Sequence, residues 1–422
     1  MTHFGIICPG VPGHLNPMMA LAQELQQRGH RITLINVLDA QASAQAAGIE
    51  FRAIAPDEFP LGKTQKLQEI DGELSGLDAF KFTVTTFTEL VDIRLRNAPA
   101  VIREANIDAM LVDQASPEGG TIADYLGIPF VTICNALMMN PESNVPPFVT
   151  TWSYQPLWWA QWRNQMTYTL LNLLLSSGFK TIQTYRKQWH LPLYSQLTDV
   201  WSKEAQISQQ PAEFDFPRLA LPKCFHYTGP LINPNARKPV DFPYEKLGER
   251  PLIYASMGTL KNRFVEVFQE IAAACEDLDV QLVMSLGGAL TAEALGELPG
   301  SPIVVKYAPQ LELLKRASLF ITHAGLNSVL ESLSAGVPMV AIPIGDDQPG
   351  IAARVAWLGA GEFIPLKRFN GDRLKTVIQK VLTNDSYRQN ARRIQTAISK
   401  VNGVKRTADI IVDKLGECHR QA

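Results

Sequence analysis

The chain runs twice through the same alternation of short apolar segments and helical periodicity, and a proline-rich stretch separates the two series. The first series opens with an apolar run at 4–9, a helical pattern and a second apolar run at 31–37. Such runs are typical of buried parallel strands, which need a crossover helix between them. The second series starts at Leu252, after five prolines within residues 229–251. We therefore predict an α/β chain of two doubly wound parallel-sheet domains, a number that a length of 422 residues also favours.

The first βαβ unit has recognisable start and stop signals. After the first strand, the pattern predicts a loop that contains His14, followed by a helix that Asn16 caps and that has Pro17 in its first turn. Gly29 then ends the helix. Further strands are predicted at 109–112, 128–134, 252–256, 281–285, 303–306, 319–322 and 339–342.

Composition and length of apolar runs exclude several classes of protein. The chain has 39 basic and 41 acidic residues, so it lacks the positive excess with which proteins follow a nucleic-acid backbone. No run reaches the roughly 18–20 apolar residues of a membrane-spanning helix, and the N-terminus lacks a cationic leader. The cysteines are scattered without metal-ligand spacing, which predicts reduced thiols in a cytoplasmic protein; they are Cys8, Cys134, Cys224, Cys275 and Cys418.

The segment 307–348 has the features of a diphosphate site. A predicted strand ends before a tight turn at Gly325, and a helix is predicted to begin at about Asn327. The N–H groups and dipole at a helix N-terminus attract anions. On this helix alone, a structural role is equally well supported, because Ser328 and Glu331 have the spacing of a capping box.

The flanking residues change that balance, because the whole segment resembles the donor-binding signature of the family 1 UDP-glycosyltransferases, which have the two-lobed GT-B fold. The matching motifs are Tyr307-Ala-Pro-Gln310, His323-Ala-Gly-Leu-Asn-Ser328-Val-Leu-Glu331, Asp347-Gln348 and Ser256-Met-Gly258-Thr259. The resemblance implies a uracil site at Tyr307, Ala308 and Gln310, a ribose contact at Glu331, phosphate contacts at His323, Gly325, Asn327, Ser328, Ser256, Gly258 and Thr259, and sugar contacts at Asp347 and Gln348. It also implies a UDP-sugar co-substrate, with UDP-glucose preferred, and no metal or other cofactor.

The resemblance also supplies a domain plan and a catalytic pair. It implies an acceptor-binding domain over 1–230, a linker over 231–250, a UDP-sugar-binding domain over 251–405, and a last helix over 406–422 that crosses back to the first domain. His14 lies in a segment similar to the catalytic loop of the family, and an imidazole can take the proton of an acceptor alcohol. Asp113 matches the carboxylate that orients this histidine. The implied reaction is a direct displacement with inversion at the sugar.

A tryptophan-rich stretch at 138–175 leaves three placements open: a packed core, an interfacial helix on a membrane surface, or the wall of an apolar acceptor pocket. Pro12, Met138, Trp152 and Trp158 are the acceptor-site candidates. Stretches at 111–118 and 206–227 are similar to bacterial zeaxanthin glucosyltransferases, which implies a carotenoid acceptor. A sterol, a flavonoid or another phenol stays open as the apolar alcohol.

Three other classes compete with this interpretation. A nicotinamide oxidoreductase would place Gly-x-Gly-x-x-Gly after the first strand, whereas this chain has only Gly10 and Gly13 there. A non-catalytic carrier of apolar ligands would not need His14, Asp113 and the donor segment together. A UDP-sugar epimerase would not need the tryptophan-rich stretch. Oligomeric state does not follow from the sequence.

Overall fold

Two parallel β-sheets form the centres of the two lobes. The computed structural model describes residues 1–73, 76–234, 240–259, 264–288 and 290–416. In the N-terminal lobe the strands are β1 (His3–Ile7), β2 (Arg31–Asn36), β3 (Glu50–Ala53), β4 (Ala109–Asp113), β5 (Phe130–Cys134), β6 (Gln206–Ser208) and β7 (Phe225–Tyr227). In the C-terminal lobe they are β8 (Leu252–Ser256), β9 (Gln281–Ser285), β10 (Ile303–Val305), β11 (Ala317–Thr322), β12 (Met339–Ala341) and β13 (Gly361–Phe363).

Helices connect these strands and cover both faces of each sheet. The N-terminal lobe contains α1 (Pro12–Gln27), α2 (Gln41–Ala47), α3 (Lys63–Glu73), α4 (Gly76–Glu104), α5 (Glu118–Leu126), α6 (Trp158–Leu174) and α7 (Ser176–Gln188). The second half of the chain contains α8 (Val265–Glu276), α9 (Gln310–Arg316), α10 (Leu326–Ser334), α11 (Gln348–Trp357), α12 (Gly371–Thr383), α13 (Asp385–Ser399) and α14 (Gly403–Leu415). The prediction of two doubly wound parallel sheets is confirmed.

Each sheet has one point where the strand order reverses. The orders among the described residues are β3-β2-β1-β4-β5-β6-β7 and β10-β9-β8-β11-β12-β13. The reversals therefore lie between β1 and β4 and between β8 and β11. Ligands of open α/β sheets bind beyond the carboxyl ends of the strands at such reversals. The register sets these ends side by side, with Ile7 opposite Val112 and Ser256 opposite Thr322.

The C-terminal helix α14 belongs to the N-terminal lobe by its packing. Its buried residues Val404, Ala408 and Ile411 join the core that α1 forms against the first sheet. Arg28 of α1 adds hydrogen bonds to α14. Helix α14 thus packs on the first lobe. That residues 406–422 form one helix crossing back to the first domain stays a prediction, and residues 417–422, including Cys418, lie outside the described residues. The domain boundaries at 230 and 251 stay a prediction.

The predicted start of α1 is wrong, and the structural alternative left open for Ser328 and Glu331 is not formed. Helix α1 begins at Pro12, four residues before the predicted cap, so His14 lies in its first turn and Pro17 lies inside the helix. Pro12 fits the helix start because a first-turn residue needs no hydrogen-bonded N–H. The capping box of Ser328 and Glu331 is not formed, because α10 begins one residue after Gly325 and its N-cap makes no side-chain hydrogen bond.

A buried ion pair joins the two lobes. Asp215, from the N-terminal lobe, accepts hydrogen bonds from Arg354 of α11 and from Arg218, and all three side chains are almost fully buried. Burial opposes ionisation, but the two arginines hold the pKa of Asp215 at about 2. The guanidinium of Arg354 also lies over the ring of Phe216. Because the charges of Asp215 and Arg354 are removed from water, separating them would destabilise this side of the interface between the lobes.

Membrane-spanning helices are not found within the described part of the chain, since none of its helices combines enough length with enough apolar character.

We expect Arg354→Met to lower the free energy of unfolding by about 3–5 kcal/mol, because it leaves the buried Asp215 carboxylate without one of its arginines. Urea titration of the purified protein measures this change. The matched control is Arg52→Met, which removes an exposed ion pair with Glu50 and should cost less than about 1 kcal/mol. Equal losses for the two variants would contradict the role assigned to the buried pair.

Since the pKa of Asp215 is depressed, its contribution to the free energy of unfolding should be present above pH 4 and be lost as the pH falls towards 2.

Candidate active site

A histidine and a carboxylate meet at the strand-order reversal of the first sheet. His14, in the first turn of α1, contributes its Nδ1, which lies 2.7 Å from Oδ2 of Asp113 at the end of β4. The Asp113 side chain is 1% exposed and that of His14 is 18% exposed, so the carboxylate lies beneath the imidazole. The Nδ1–H tautomer makes this hydrogen bond and leaves Nε2 as the basic nitrogen.

Asp113 is fixed by further hydrogen bonds. Its Oδ1 accepts from the backbone N–H of Ala115, and its Oδ2 accepts from the side-chain amide of Asn135 at 2.6 Å. The next polar residue along the sheet edge, Gln209, donates to the backbone carbonyl of Asn135. The polar residues at the carboxyl ends of β4, β5 and β6 are therefore linked by hydrogen bonds, and Asn135 and Gln209 help to hold the Asp113 carboxylate in one orientation.

The electrostatics of this pair favour a strong base. Burial disfavours the charged imidazole, but the charge and hydrogen bond of Asp113 more than compensate, so the pKa of His14 is raised above its ordinary value. The carboxylate of Asp347, from the other lobe, acts in the same direction. A raised pKa means that Nε2 holds an accepted proton more firmly, which a general base requires during the transfer.

Beside this pair lies a buried cation. The guanidinium of Arg94 in α4 donates to Glu118 Oε1 at 2.8 Å, to Ser116 Oγ and to the backbone carbonyl of Cys8. It therefore links the segments that follow β4 and β1. The positive charge acts against protonation of His14 and moderates the effect of Asp113.

The N-terminus of α10 lies directly across the cleft from His14. Asn327 donates from its side-chain amide to the backbone carbonyl of Gly13 at 2.8 Å, and its Oδ1 accepts from Gln209 at 2.8 Å. In a regular helix the carbonyl of Gly13 would accept from residue 17. That residue is proline and has no N–H, so the carbonyl is available to the other lobe. The two lobes therefore contact each other at Gly13, one residue before His14.

His323 forms part of a glycine-lined cradle at the strand-order reversal of the second sheet. Added Cβ atoms at Gly258 and Gly325 would come within 2.6 Å and 2.5 Å of its ring, so only glycine fits at either position. Burial lowers the pKa of His323 to about 4, against smaller opposite effects of the Ser256 backbone and Asp346. The ring is therefore neutral near pH 7 and carries one N–H donor. Ser256 is buried beneath this cradle and Thr259 is exposed at its edge.

A hydrogen-bonded group fixes the carboxylate of Glu331 on α10. Gln310 donates to Glu331 Oε2 at 2.8 Å and to Ser328 Oγ at 3.3 Å, and its own Oε1 accepts from the hydroxyl of Tyr254. The side chain predicted to bind uracil therefore orients the predicted ribose ligand. Tyr307 is half-exposed nearby, with Ala308 half-buried after it.

Asp347 and Gln348 stand at the start of α11. The Oδ2 of Asp347 accepts from the backbone N–H of Leu137 in the other lobe at 2.8 Å, and burial raises the pKa of this carboxyl. The side-chain oxygen of Gln348 accepts from the N–H groups of Ile344 and Gly345, which shapes the loop in front of the helix.

An open cleft of about 340 Å³ separates the lobes beside this site. Asn327, Leu330 and Glu331 line it from the C-terminal lobe, and Asn16 and Ala20 of α1 line it from the N-terminal lobe. Its position places the predicted ribose ligand at the wall of a cavity large enough for part of a nucleotide.

The four acceptor candidates do not form one surface. Pro12 is exposed beside His14 at the start of α1, whereas Met138 is buried and contacts the hydroxyl of Tyr227. Trp152 is covered by the guanidinium of Arg163 at 3.9 Å, and Trp158 is 79% exposed on α6. Of these, only Pro12 adjoins the catalytic pair, and the acceptor contacts stay a prediction.

Sequence reasoning missed Asn135, Gln209 and Arg94. The first two carry a signal, since each is a polar residue directly after a buried strand, where parallel strands bring their ends together. Arg94, in the middle of a long helix, carries none. Among the residues that the structure describes, no cluster of three or more His, Cys, Asp or Glu side chains could hold a metal ion, and Cys8, Cys134, Cys224 and Cys275 are free thiols.

Comparison with known proteins shows the family of the chain. The model of the UDP-glucoronosyl and UDP-glucosyl transferase family matches residues 96–405, and that of the glycosyltransferase family 28 N-terminal domain matches residues 4–112. A zeaxanthin glucosyltransferase of Pantoea ananas is 33% identical over 97% of this chain and 95% of its own. That of Pseudescherichia vulneris is 31% identical over 97% of each. The crystal structure of the glycotransferase of kitacinnamycin superposes with a TM-score of 0.77 at 23% identity, over 98% of this chain and 99% of its own, which confirms the GT-B fold.

We expect Asp113→Asn to lower the pKa of His14, because the substitution removes the negative charge that raises it. The Cε1–H resonance of His14, followed by NMR over a pH titration and assigned with His14→Ala, measures the shift. His190→Asn, which changes an exposed histidine after α7, is the control and should leave the titration of His14 as in the wild type. An unchanged pKa of His14 in Asp113→Asn would contradict the proposed effect of the carboxylate.

Since the pKa of His14 is raised in the folded state, the pair of His14 and Asp113 stabilises the fold fully below the ordinary histidine pKa and loses this contribution as the pH rises through the raised value.

Proposed function

The chain belongs to the UDP-glucoronosyl and UDP-glucosyl transferase family and is a glycosyltransferase that acts on small molecules, and from this we propose that it transfers glucose from UDP-glucose, with inversion, to a hydroxyl group of a carotenoid such as zeaxanthin. The observation that carries the proposal is the meeting of His14 and the N-terminus of α10 across the cleft, through the hydrogen bond between Asn327 and Gly13.

His14 is the general base of the proposed reaction. Its Nε2 takes the proton of the acceptor hydroxyl while the oxygen attacks the anomeric carbon of the sugar. Asp113 holds the imidazole through Nδ1 and stabilises the imidazolium that forms. The imidazole thus becomes positively charged beside the buried Asp113 carboxylate. At the same time, the displacement transfers negative charge to the diphosphate, which departs towards the other lobe.

The N-terminus of α10 receives the departing diphosphate. Its first N–H groups have no partner within the helix, and the helix dipole adds a positive potential there. Gly258 and Gly325 make room for the ring of neutral His323, which can donate its N–H to a phosphate oxygen. These donors supply the electrostatic stabilisation that a metal ion supplies in other transferases, so we propose a metal-free reaction.

The placement of the two halves supports inversion. The base belongs to the first lobe and the leaving-group site to the second, so the acceptor oxygen and the diphosphate lie on opposite sides of the sugar. A single displacement between them inverts the anomeric centre. We propose that Asp347 and Gln348, at the lobe boundary beside Leu137, bind the sugar hydroxyls between base and leaving group.

The carotenoid acceptor is proposed from the relatives and from the apolar character of residues 138–175. Two relatives above 30% identity, which cover nearly the whole chain, are zeaxanthin glucosyltransferases. A sterol, flavonoid or other phenol is the alternative acceptor. An apolar-ligand carrier and a UDP-sugar epimerase are disfavoured, since the family membership and the catalytic pair both indicate transfer to an acceptor.

We expect UDP release from UDP-glucose to be stimulated by detergent-solubilised zeaxanthin more than by a sterol or a flavonoid. His14→Ala should lower the rate by about 10²–10⁴-fold, because it removes the general base. His190→Asn, which changes an exposed histidine outside the site, should leave the rate unchanged. Stimulation by the sterol or flavonoid alone would replace the acceptor assignment. Full activity of His14→Ala would overturn the mechanism.

We expect Glu331→Gln to weaken UDP binding by roughly tenfold or more, because a charged acceptor for the ribose hydroxyls is lost. Isothermal titration calorimetry with UDP measures the change, and Glu312→Gln, an exposed carboxylate on α9, is the control. Thymidine diphosphate, whose sugar lacks the 2′-hydroxyl, should bind more weakly than UDP to the wild type, and the difference should shrink in Glu331→Gln. Equal affinities for both nucleotides in the wild type would contradict the ribose contact.

A further inference from the structure

Helix α6 is turned so that its large apolar side chains face solvent. Its buried residues are Ala160, Asn164 and Tyr168, two of which are polar. The exposed apolar residues form what we call the apolar stripe: Trp158, Trp159, Trp162, Met166, Leu170 and Leu173. Spacings of three and four residues place them on one side of the helix. Contiguous exposed apolar surface of this kind marks a site of interaction.

The composition of the surrounding chain indicates the partner. Residues 143–198 contain no aspartate or glutamate but include Arg163, Lys180, Arg186 and Lys187. A stretch of 56 residues without a carboxylate is unusual in a chain with 41 of them. The stripe is rich in tryptophan, which prefers the boundary between lipid headgroups and acyl chains. Tryptophan beside positive charge is the pattern of helices that lie on anionic membranes.

Carboxylates from neighbouring elements cancel only part of this positive charge. Asp92 of α4 accepts a hydrogen bond from Tyr185, and Asp124 of α5 is paired with Arg186. Lys180 and Lys187 are exposed on α7. The guanidinium of Arg163 lies over the rings of Trp152 and Trp159, so that it is held next to the apolar stripe.

We propose that the apolar stripe docks the enzyme on an anionic lipid surface, with α6 lying in the plane of the headgroups. Lipid fits better than a second protein chain, because a fluid interface accepts protruding tryptophans without a complementary pocket. The proposal does not depend on which acceptor the enzyme uses.

The anchoring of α6 connects this surface to the catalytic edge of the first sheet. Asn164 and Tyr168 donate to the backbone carbonyls of Ser143 and Val145. The same segment reaches back to the residue after Asp113, since Gln114 accepts from the backbone N–H of Met139 and donates to the side chain of Asn140. If the proposed function holds, an apolar alcohol dissolved in the membrane lies next to the lobe that carries His14.

The full-length protein is mixed with phosphatidylcholine vesicles, with or without phosphatidylglycerol, and the bound fraction is measured by co-sedimentation. We expect binding to the anionic vesicles, and a loss of roughly tenfold or more in Trp158→Gln/Trp162→Gln/Leu173→Gln, because the apolar contact is removed. These side chains are 79%, 65% and 68% exposed, so the fold should be retained. Lys180→Gln and Lys187→Gln should each weaken binding about fivefold on anionic vesicles only.

The matched control is Leu219→Gln, an 82% exposed apolar residue that is not part of α6, which should bind as the wild type does. Unchanged vesicle binding of the triple variant, or no binding of the wild type, would overturn the proposal. Concentration-dependent dimers of the wild type that the triple variant lacks would also overturn it, by assigning the stripe to a second copy. Vesicle binding requires no turnover, so it can be interpreted even if the proposed acceptor is wrong. The affinity of each variant for UDP tests separately whether the variant is folded.

Discussion

The backbone carbonyl of Gly13 is the point on which the candidate site depends. It lies in the first turn of α1, next to the imidazole, and accepts from Asn327 at the start of the donor-side helix. A proline four residues later removes the N–H that would otherwise occupy it. One missing donor in the helix thus leaves an acceptor for the other lobe beside the imidazole. This hydrogen bond brings the N-terminus of α10 next to His14.

The charges around that point complement one another across the cleft. On one side, a buried carboxylate raises the pKa of His14 and prepares it to hold a proton. On the other, burial keeps His323 neutral, so that it can donate without competing for that proton. Asp347 has a raised pKa and accepts a hydrogen bond from the backbone N–H of Leu137. The pKa values of the two histidines shift in opposite directions, because the buried Asp113 carboxylate outweighs burial at His14 whereas burial dominates at His323.

The sequence was sufficient to predict nine of the thirteen described strands, because their apolar runs and intervening helical patterns are local signals; the short strands β3, β6, β7 and β13 were missed. The pairing of β1 with β4 explains why His14 and Asp113, 99 residues apart, come together. The start of α1 was missed because proline at a first helical position and proline in a loop look alike in sequence. The roles of Gln310 and Asn327 could not be predicted either, since the hydrogen bonds to Glu331 and Gly13 depend on how separate elements pack.

Two kinds of contact hold the lobes together, and they differ in what can replace them. The pair of Asp215 and Arg354 is buried, and either charge alone would be costly, so this side of the interface should stay closed throughout the reaction. The contacts of Asn327 and Asp347 are single hydrogen bonds at the edge of the open cleft. A phosphate oxygen can accept from Asn327 in place of Gly13, and a sugar hydroxyl can donate to Asp347 in place of Leu137. We therefore expect any movement between the lobes to be smaller near Arg354 than at the cleft, because the buried ion pair must stay paired whereas the single hydrogen bonds at the cleft can exchange.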